Sequence, residues 1–249
     1  MAKIQIEDLS HKFASGLYGI RNITLTVEQG ELLVIAGQNG SGKSTLCRHI
    51  NGLLKPTTGS VMIDELVVQK NLTQARQKVG MVFQNADSQI VGETVADDVA
   101  FGPENLGLDR SEIQSRVNKA LSTVGLNGKE DYNPQLLSGG EKRKLAIAGV
   151  LAMQSEILVF DEPFANLDYP GSLLVLKQII DLHKSGHTVL IVTHELEKVI
   201  AIATRMIVLQ NGEIVLEGKP GTVLSRVEEF GVREPCSSKL GKGIQPWLN

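Results

Sequence analysis

Apolar and polar residues alternate around Ile4 and Ile6 and again through Ile23, Leu25 and Val27, which predicts strands with one buried face. Glu28-Gln29-Gly30 then turns the chain into "ELLVIAG" (31–37), a continuous apolar run suited to a parallel strand covered on both sides. Leu46, Ile50 and Leu53 share a helical face after it. From Ser111 to Val124 the residues Ile113, Val117, Ala120, Leu121 and Val124 keep helical spacing, with Ser111 as the expected N-cap and Gly125 as the stop. "ILVF" (157–160) and "TVLIVT" (188–193) are two more buried-strand runs. A Leu- and Ile-rich helical stretch (172–183) separates them, the order of parallel crossovers. Asn211-Gly212 inside "MIVLQNGEIVLEG" predicts a hairpin. The expectation is an α/β chain whose middle, about residues 85–150, is a mainly helical insertion. The tail "CSSKLGKGIQPWLN", polar and glycine-containing, is expected to be a loose extension.

Composition changes this picture little. The 249 residues are 42% hydrophobic and 21% charged, with a net charge of -3, which suits a globular chain with a sizeable core. A protein held to nucleic acid by its charge would be strongly basic, so no nucleic-acid partner is expected. Cys47 and Cys236 are too few and too far apart for a disulfide framework, and a reducing cytoplasm is the expected setting. The first residues lack the apolar core of a signal peptide, and no run is long enough to span a bilayer. Any part in transport therefore calls for a membrane partner.

The chemistry is concentrated in three stretches. "GQNGSGKS" (37–44) follows a buried strand and opens a helix. In that context Gly37, Gln38, Asn39, Gly40, Ser41 and Gly42 can wrap a phosphate chain in backbone N–H groups. Lys43 supplies charge to the outer phosphates and Ser44 a hydroxyl for Mg²⁺, and Thr45 after them is also expected to bind the nucleotide. A plain glycine turn needs neither the lysine nor the serine. "ILVFDEP" (157–163) places Asp161 and Glu162 at the C-terminal end of a buried strand, where α/β sheets gather their ligands. Asp161 would hold Mg²⁺ through water and Glu162 would take a proton from an attacking water. An acidic turn before Pro163 is the alternative use of the pair. In "LLSGGEKRKLAIAGVLAM" (136–153), Ser138 and Glu141 have capping-box spacing, yet a cap does not call for both Gly139 and Gly140. A second helix N-terminus with bare N–H groups is a second phosphate site, which points to a dimer with nucleotide between the subunits.

Phosphate loop, "LLSGGE", "FDEP" and "VTHE" (192–195), in this order, resemble the nucleotide-binding subunits of ATP-binding cassette (ABC) transporters. The likeness runs from about residue 2 to 220, leaving 221–249 as a short C-terminal extension. It implies a P-loop NTPase core with an N-terminal antiparallel β-subdomain and an inserted α-helical subdomain, and hydrolysis of ATP with Mg²⁺ as cofactor. By the resemblance Gln84 is the Q-loop glutamine and a Mg²⁺ ligand, and Asp168 is the dimer-communicating aspartate. His194 is the switch histidine, and Ser138 to Glu141 form the signature that meets the partner's nucleotide. Phe13 is the adenine-stacking aromatic, with Tyr18 as the weaker choice. The chain departs from the family pattern at Glu141, where glutamine is usual, and at Asn166, where a small residue is frequent.

The stretch "FQNADSQIVGETVADDVAFGPENLGL" (83–108) and Gly149 within "AIAGVLAM" are similar to the energy-coupling factor (ECF) group, which imports metal ions and vitamins. That resemblance implies a transmembrane coupling subunit and a substrate-binding membrane subunit as partners, and a place on the cytoplasmic face of the cell membrane. It also implies a homodimer or a heterodimer with a paralogous ATPase. Asn85 to Gln89 are expected to form a short helix, with Asp87, Gln89 and Ile90 turned toward the coupling subunit. The alternative is a soluble ABC ATPase of the translation or chromosome-maintenance type. The former normally carries two cassettes, and the latter a long coiled coil, for which no heptads occur here.

Overall fold

The computed structural model describes residues 2–247. Strands β1 (Ala2–Lys12), β2 (Tyr18–Glu28) and β3 (Leu32–Ala36) lead to helix α1 (Lys43–Ile50). β4 (Thr58–Ile63), β5 (Leu66–Val67), α2 (Leu72–Lys78) and β6 (Val79–Val82) follow. Three helices come next, α3 (Val95–Asn105), α4 (Arg110–Val124) and α5 (Gly139–Ala152). The chain returns through β7 (Ile157–Asp161), α6 (Tyr169–Lys184), β8 (Thr188–Val192), α7 (Leu196–Val199), β9 (Arg205–Gln210) and β10 (Glu213–Gly218). It closes with two short helices, α8 (Pro220–Val223) and α9 (Cys236–Lys239).

Two sheets result: a four-stranded antiparallel one in the order β2-β1-β4-β5, and a six-stranded one in the order β10-β9-β3-β8-β7-β6. In the larger sheet β9, β3, β8, β7 and β6 are parallel and β10 turns back on β9. Its central strands β3, β7 and β8 are buried throughout because both faces are covered. Leu32, Val34, Leu158, Phe160, Val189 and Ile191 pack on the side of α5 and α6. Leu33, Ile35, Ile157, Val159, Leu190 and Val192 pack toward α1 and the antiparallel sheet. Asn211 (φ 51°) and Gly212 (φ 84°) both turn through the left-handed region between β9 and β10, as the two-residue hairpin requires.

Several local expectations differ from what is found. The N-cap of α4 is Asp109, whose carboxylate accepts from the N–H of Ser111 and Glu112 and also takes the Ser111 hydroxyl proton. The anion outcompetes the hydroxyl for the orphan N–H groups. Gly125 does end that helix, at φ 66°. Helix α1 stops at Ile50, and Leu53 lies beyond Gly52 (φ 70°), half-exposed. The stretch before the tail is core, and the tail itself, mostly exposed over 236–247, is docked through two side chains. Leu224, Val227 and Val232 are buried in the main core, and Ile244 and Trp247 pack against it. The Trp247 ring meets Tyr169 edge-on at 5.3 Å, with the Lys198 ammonium 5.5 Å from its centroid. A few apolar side chains suffice to dock a polar tail.

Lys3 and Lys78 meet Asp64 and Glu156 in a four-charge cluster joining β1, the β4–β5 turn, α2 and the start of β7. Burial alone would raise the Asp64 carboxyl, but Lys78 and Lys3 override it and hold it low; Lys3 likewise holds Glu156 low. Depressed carboxyls stabilise the fold above their unfolded values, near 4, and lose that contribution as the pH falls through their folded values. Lys3→Met is therefore expected to lower unfolding free energy by about 1 kcal/mol at pH 7. That difference should shrink in urea titrations as the pH falls below about 4 and these carboxyls take up protons, and a gap that persists unchanged in acid would exclude an ionic origin.

Candidate functional site

Strand register gathers the chemistry on one edge of the large sheet. Ile35 pairs with Val192, Val192 with Asp161, and Val82 with Phe160. Gly37, His194, Glu162 and Gln84 each lie two residues beyond a member of these pairs. All four leave the same C-terminal edge, where a doubly covered parallel sheet opens to ligands.

The loop after β3 is built for close approach. A Cβ on Gly37 (φ 147°) would lie 2.3 Å from the Leu209 carbonyl oxygen and 2.6 Å from Ser41 Oγ. On Gly42 (φ 105°) it would lie 2.4 Å from the Gly19 carbonyl oxygen. Ser41 Oγ is buried without a hydrogen-bond partner, an orphaned polar atom inside a cradle of N–H groups. Lys43 Nζ donates to the carbonyls of Gly37 (2.8 Å) and Gln38 (2.9 Å). Burial pushes its ammonium below the usual lysine range, against the pull of Glu162 and Asp161. A buried cation held by two carbonyls of a glycine-rich loop has an anion still to find, and a phosphate chain fits. A Cβ on Gly19 would lie 2.7 Å from the Phe13 ring and 3.1 Å from Thr45 Cγ2, so Phe13 and Thr45 on α1 flank the same glycine.

Ser44 Oγ donates to Asp161 Oδ1 at 3.1 Å. Burial raises the Asp161 carboxyl, and the Ser44 hydroxyl opposes that shift. A hydroxyl and a buried carboxylate in contact form half of a hard-cation site whose other ligands would be phosphate oxygens and water. Among the described residues no group of three or more His, Cys, Asp and Glu could cage a metal unaided. Glu162 adopts φ 48°, left-handed and strained for a glutamate, with its N–H held by the Val192 carbonyl at 2.9 Å. His194 Nδ1 lies 3.0 Å from Glu162 Oε1, so the carboxylate is oriented from the neighbouring strand.

Phe13 and Tyr18 are both about half-exposed. Arg21 covers the Tyr18 face at 4.5 Å, whereas Phe13 is backed edge-on by His11 at 4.7 Å, itself 4.9 Å from His49. Burial, with His11 adding to it, lowers His49 to about 4, which keeps that ring neutral. Phe13 thus presents a ring for stacking beside the phosphate loop, and Tyr18 is engaged by a cation.

Gln84 is exposed just past β6. Its carbonyl accepts from Arg143 Nη2 at 2.7 Å, and Arg143 Nη1 donates to the Phe83 carbonyl. Arg143, buried on α5, thus ties the signature helix to the strand end that carries Gln84. In the charged run "EKRK" nothing distinguished it. Gln89 is not turned outward as expected. Its Oε1 accepts from the Phe83 N–H and its Nε2 donates to the Met81 carbonyl, both at 3.1 Å. β6 is the outer strand of the sheet, and the Gln89 amide satisfies its open edge as a further strand would. Residues 86–88 form one 3₁₀ turn, and Asp87 pairs with Lys142 at 2.6 Å.

At the head of α5, Ser138 and Glu141 form the expected capping box. Glu141 also pairs with Lys129, which together with the Ser138 N–H pushes its carboxyl down to about 2. Asp168 caps α6, accepting from the Gly171 N–H at 2.9 Å. Asn166 takes φ 60°, a conformation asparagine tolerates better than most residues. Gly139 and Gly140 have no positive φ, and a Cβ on either would meet nothing closer than 3.8 and 3.6 Å. Nothing among the described residues requires them.

A cleft of about 580 Å³, lined by Gln29, Glu156 and Thr188 among others, lies at the opposite, N-terminal edge of the sheet, away from all these groups. The motif edge itself is an open surface in the single chain.

Comparison with known proteins agrees with this geometry. The ABC transporter family model matches residues 20–165. The energy-coupling factor transporter ATP-binding protein EcfA of Methanocaldococcus jannaschii is 44% identical over 228 residues, 90% of this chain and 82% of that protein. EcfA2 of Clostridium tetani is 42% identical over 97% of this chain and 88% of its own. CbiO1 of Clostridium perfringens, described as part of the ABC transporter complex CbiONQ, superimposes with a TM-score of 0.83 at 33% identity, covering 97% of this chain and 99% of its own. A cassette solved as a dimer bound to ADP and phosphate superimposes with a TM-score of 0.77 at 30% identity, covering 87% and 98%. A phosphate cradle, an oriented glutamate and this kinship over nearly the whole length agree: the chain belongs to the ABC transporter family and is an ATPase of its energy-coupling factor kind.

Proposed function

We propose that the chain powers an ECF-type importer of a metal ion or vitamin by hydrolysing ATP in a head-to-tail dimer at the cytoplasmic face of the membrane. The observation that carries the dimer is the pair Gly139-Gly140 at the start of α5, which no contact among the described residues explains. Ser138 and Gly140 of one subunit face the γ-phosphate held by Lys43 of the other, and Asp168 joins the two sites. Phe13 stacks on adenine. Ser44, Asp161 and Gln84 would hold Mg²⁺, which when bound neutralises charge on the β- and γ-phosphates.

Glu162 takes a proton from water as the water oxygen attacks the γ-phosphorus and the bond to the ADP oxygen breaks. His194 holds that carboxylate in line. Gain or loss of the γ-phosphate shifts Gln84, and Arg143 passes the shift to the helical subdomain. Both partner arrangements, homodimer and heterodimer with a paralogue, keep these roles.

The docking face for a transmembrane coupling subunit, which in turn carries a substrate-binding membrane subunit, is apolar. Val91 and Phe101 are 61% and 53% exposed, and the Val91 N–H is fixed to Asp98, one turn before Phe101 on α3. Exposed apolar side chains beside the glutamine loop suit a helix from a membrane protein. The double variant Val91→Ser/Phe101→Ser is expected to keep basal ATPase within about twofold while losing capture of a multi-spanning membrane protein from detergent-solubilised membranes. Undiminished capture would remove this face from the interface.

A further inference from the structure

Ser138 has one hydroxyl proton, and in the free chain it goes to Glu141 Oε2 at 2.9 Å. The same oxygen accepts the Ser138 backbone N–H at 2.9 Å, and the Glu141 N–H points back at Ser138 Oγ at 3.3 Å. An ionised carboxylate can only accept, so beside a triphosphate it competes for the serine proton and repels the ligand. Its low pKa, about 2, keeps it ionised at every working pH. A neutral amide would accept from the serine too, but would not repel the ligand.

The remaining carboxylate oxygen, Oε1, is taken by Lys129 Nζ. Lys129 stands in the turn after α4, where its N–H donates to the Leu126 carbonyl at 3.2 Å and the residues after it are tied to α3. The Glu130 and Tyr132 carbonyls accept from the N–H groups of Ala96 and Val95 at the start of α3. Its ammonium also lies 5.5 Å from the Tyr132 ring. Lys129 and Glu141 together carry no net charge, which leaves the positive N-terminus of α5 as the local field.

We propose that Lys129 is a positioning residue of the shared nucleotide site: by pairing with Glu141 it cancels that carboxylate's charge at the signature end of α5, so that the helix N-terminus and Ser138 can meet the partner's γ-phosphate. The inference rests on the composite site proposed above. It explains how a glutamate stands where an uncharged residue would serve an anion better.

The test is ATP turnover against ATP concentration for full-length wild type, Lys129→Met, Glu141→Gln and the double variant, at two salt concentrations. Lys129→Met should raise the half-saturating ATP concentration about tenfold, equivalent to ~1.4 kcal/mol, with kcat largely kept. The defect should shrink in high salt, because an exposed charge repulsion is screened. Glu141→Gln, which leaves Lys129 an unopposed cation, should lower the half-saturating concentration, and adding it to Lys129→Met should restore near-normal saturation. A double variant as impaired as Lys129→Met alone, or a defect indifferent to salt, overturns the proposal, since loss of a merely structural contact would do just that. Ser138→Arg separates the two readings. Wild-type turnover by it removes the shared site and this proposal with it, whereas a Ser138→Arg defect beside a normal Lys129→Met overturns the proposal alone.

Discussion

Glu162→Gln is expected to bind ATP as the wild type does and to lose turnover by about 10²–10⁴-fold, the usual worth of a positioned general base. The substitution is nearly isosteric, and the backbone that places residue 162 is held by the Val192 carbonyl, not by the carboxylate. Lys43, Ser41 and the glycine cradle are untouched, so affinity and chemistry separate cleanly. With hydrolysis blocked, the ATP-loaded dimer should accumulate and be visible by size-exclusion chromatography. Phosphate release at the wild-type rate would show that Glu162 is not the proton acceptor.

The second large effect is complementation between two inactive proteins. Lys43→Ala removes the ammonium held in the phosphate cradle, and Ser138→Arg blocks the signature end of α5. In a head-to-tail dimer the two lesions of a hybrid fall in one site and leave the other whole. Equal mixing makes about half the dimers hybrid, so activity should recover to about a quarter of wild type if the sites fire independently. Each variant alone should stay near zero. Recovery is the decisive readout, because a site contained within one chain cannot be repaired by exchange. No gain after demonstrated subunit exchange would count against sharing, or show that both sites must fire together.

The elements of the core were legible because their patterns are local. β3, β7 and β8 announced themselves as unbroken apolar runs, and Asn211-Gly212 announced the hairpin. The phosphate loop and the Asp161-Glu162 pair were equally readable, since spacing and strand context carry the chemistry. Gln89 was misplaced because its partners, the Phe83 N–H and Met81 carbonyl, are an open sheet edge, and which strand stands outermost is not written in any local pattern. Trp247 was misplaced for a similar reason. Its contacts with Tyr169 and Lys198 reach across 78 and 49 positions of sequence, by subtraction of their numbers.

The sequence by itself determined which groups this protein brings to its chemistry: a phosphate-wrapping loop with Lys43 and Ser44, two carboxylates at a strand end, and a second glycine-bearing helix start. It did so because residue type and short-range spacing suffice for backbone wrapping, capping and burial. Only the tertiary structure decided how they meet. Register alone puts Gly37, Gln84, Glu162 and His194 on one edge, from strands far apart in the chain. Arg143 becomes the tie to the Gln84 backbone, and Lys129 the partner of Glu141, because three-dimensional packing sets a cation against whichever carbonyl or carboxylate lies within reach. A long, flexible cation carries no mark of its partner in the sequence around it; the partner is chosen by where the helices come to rest.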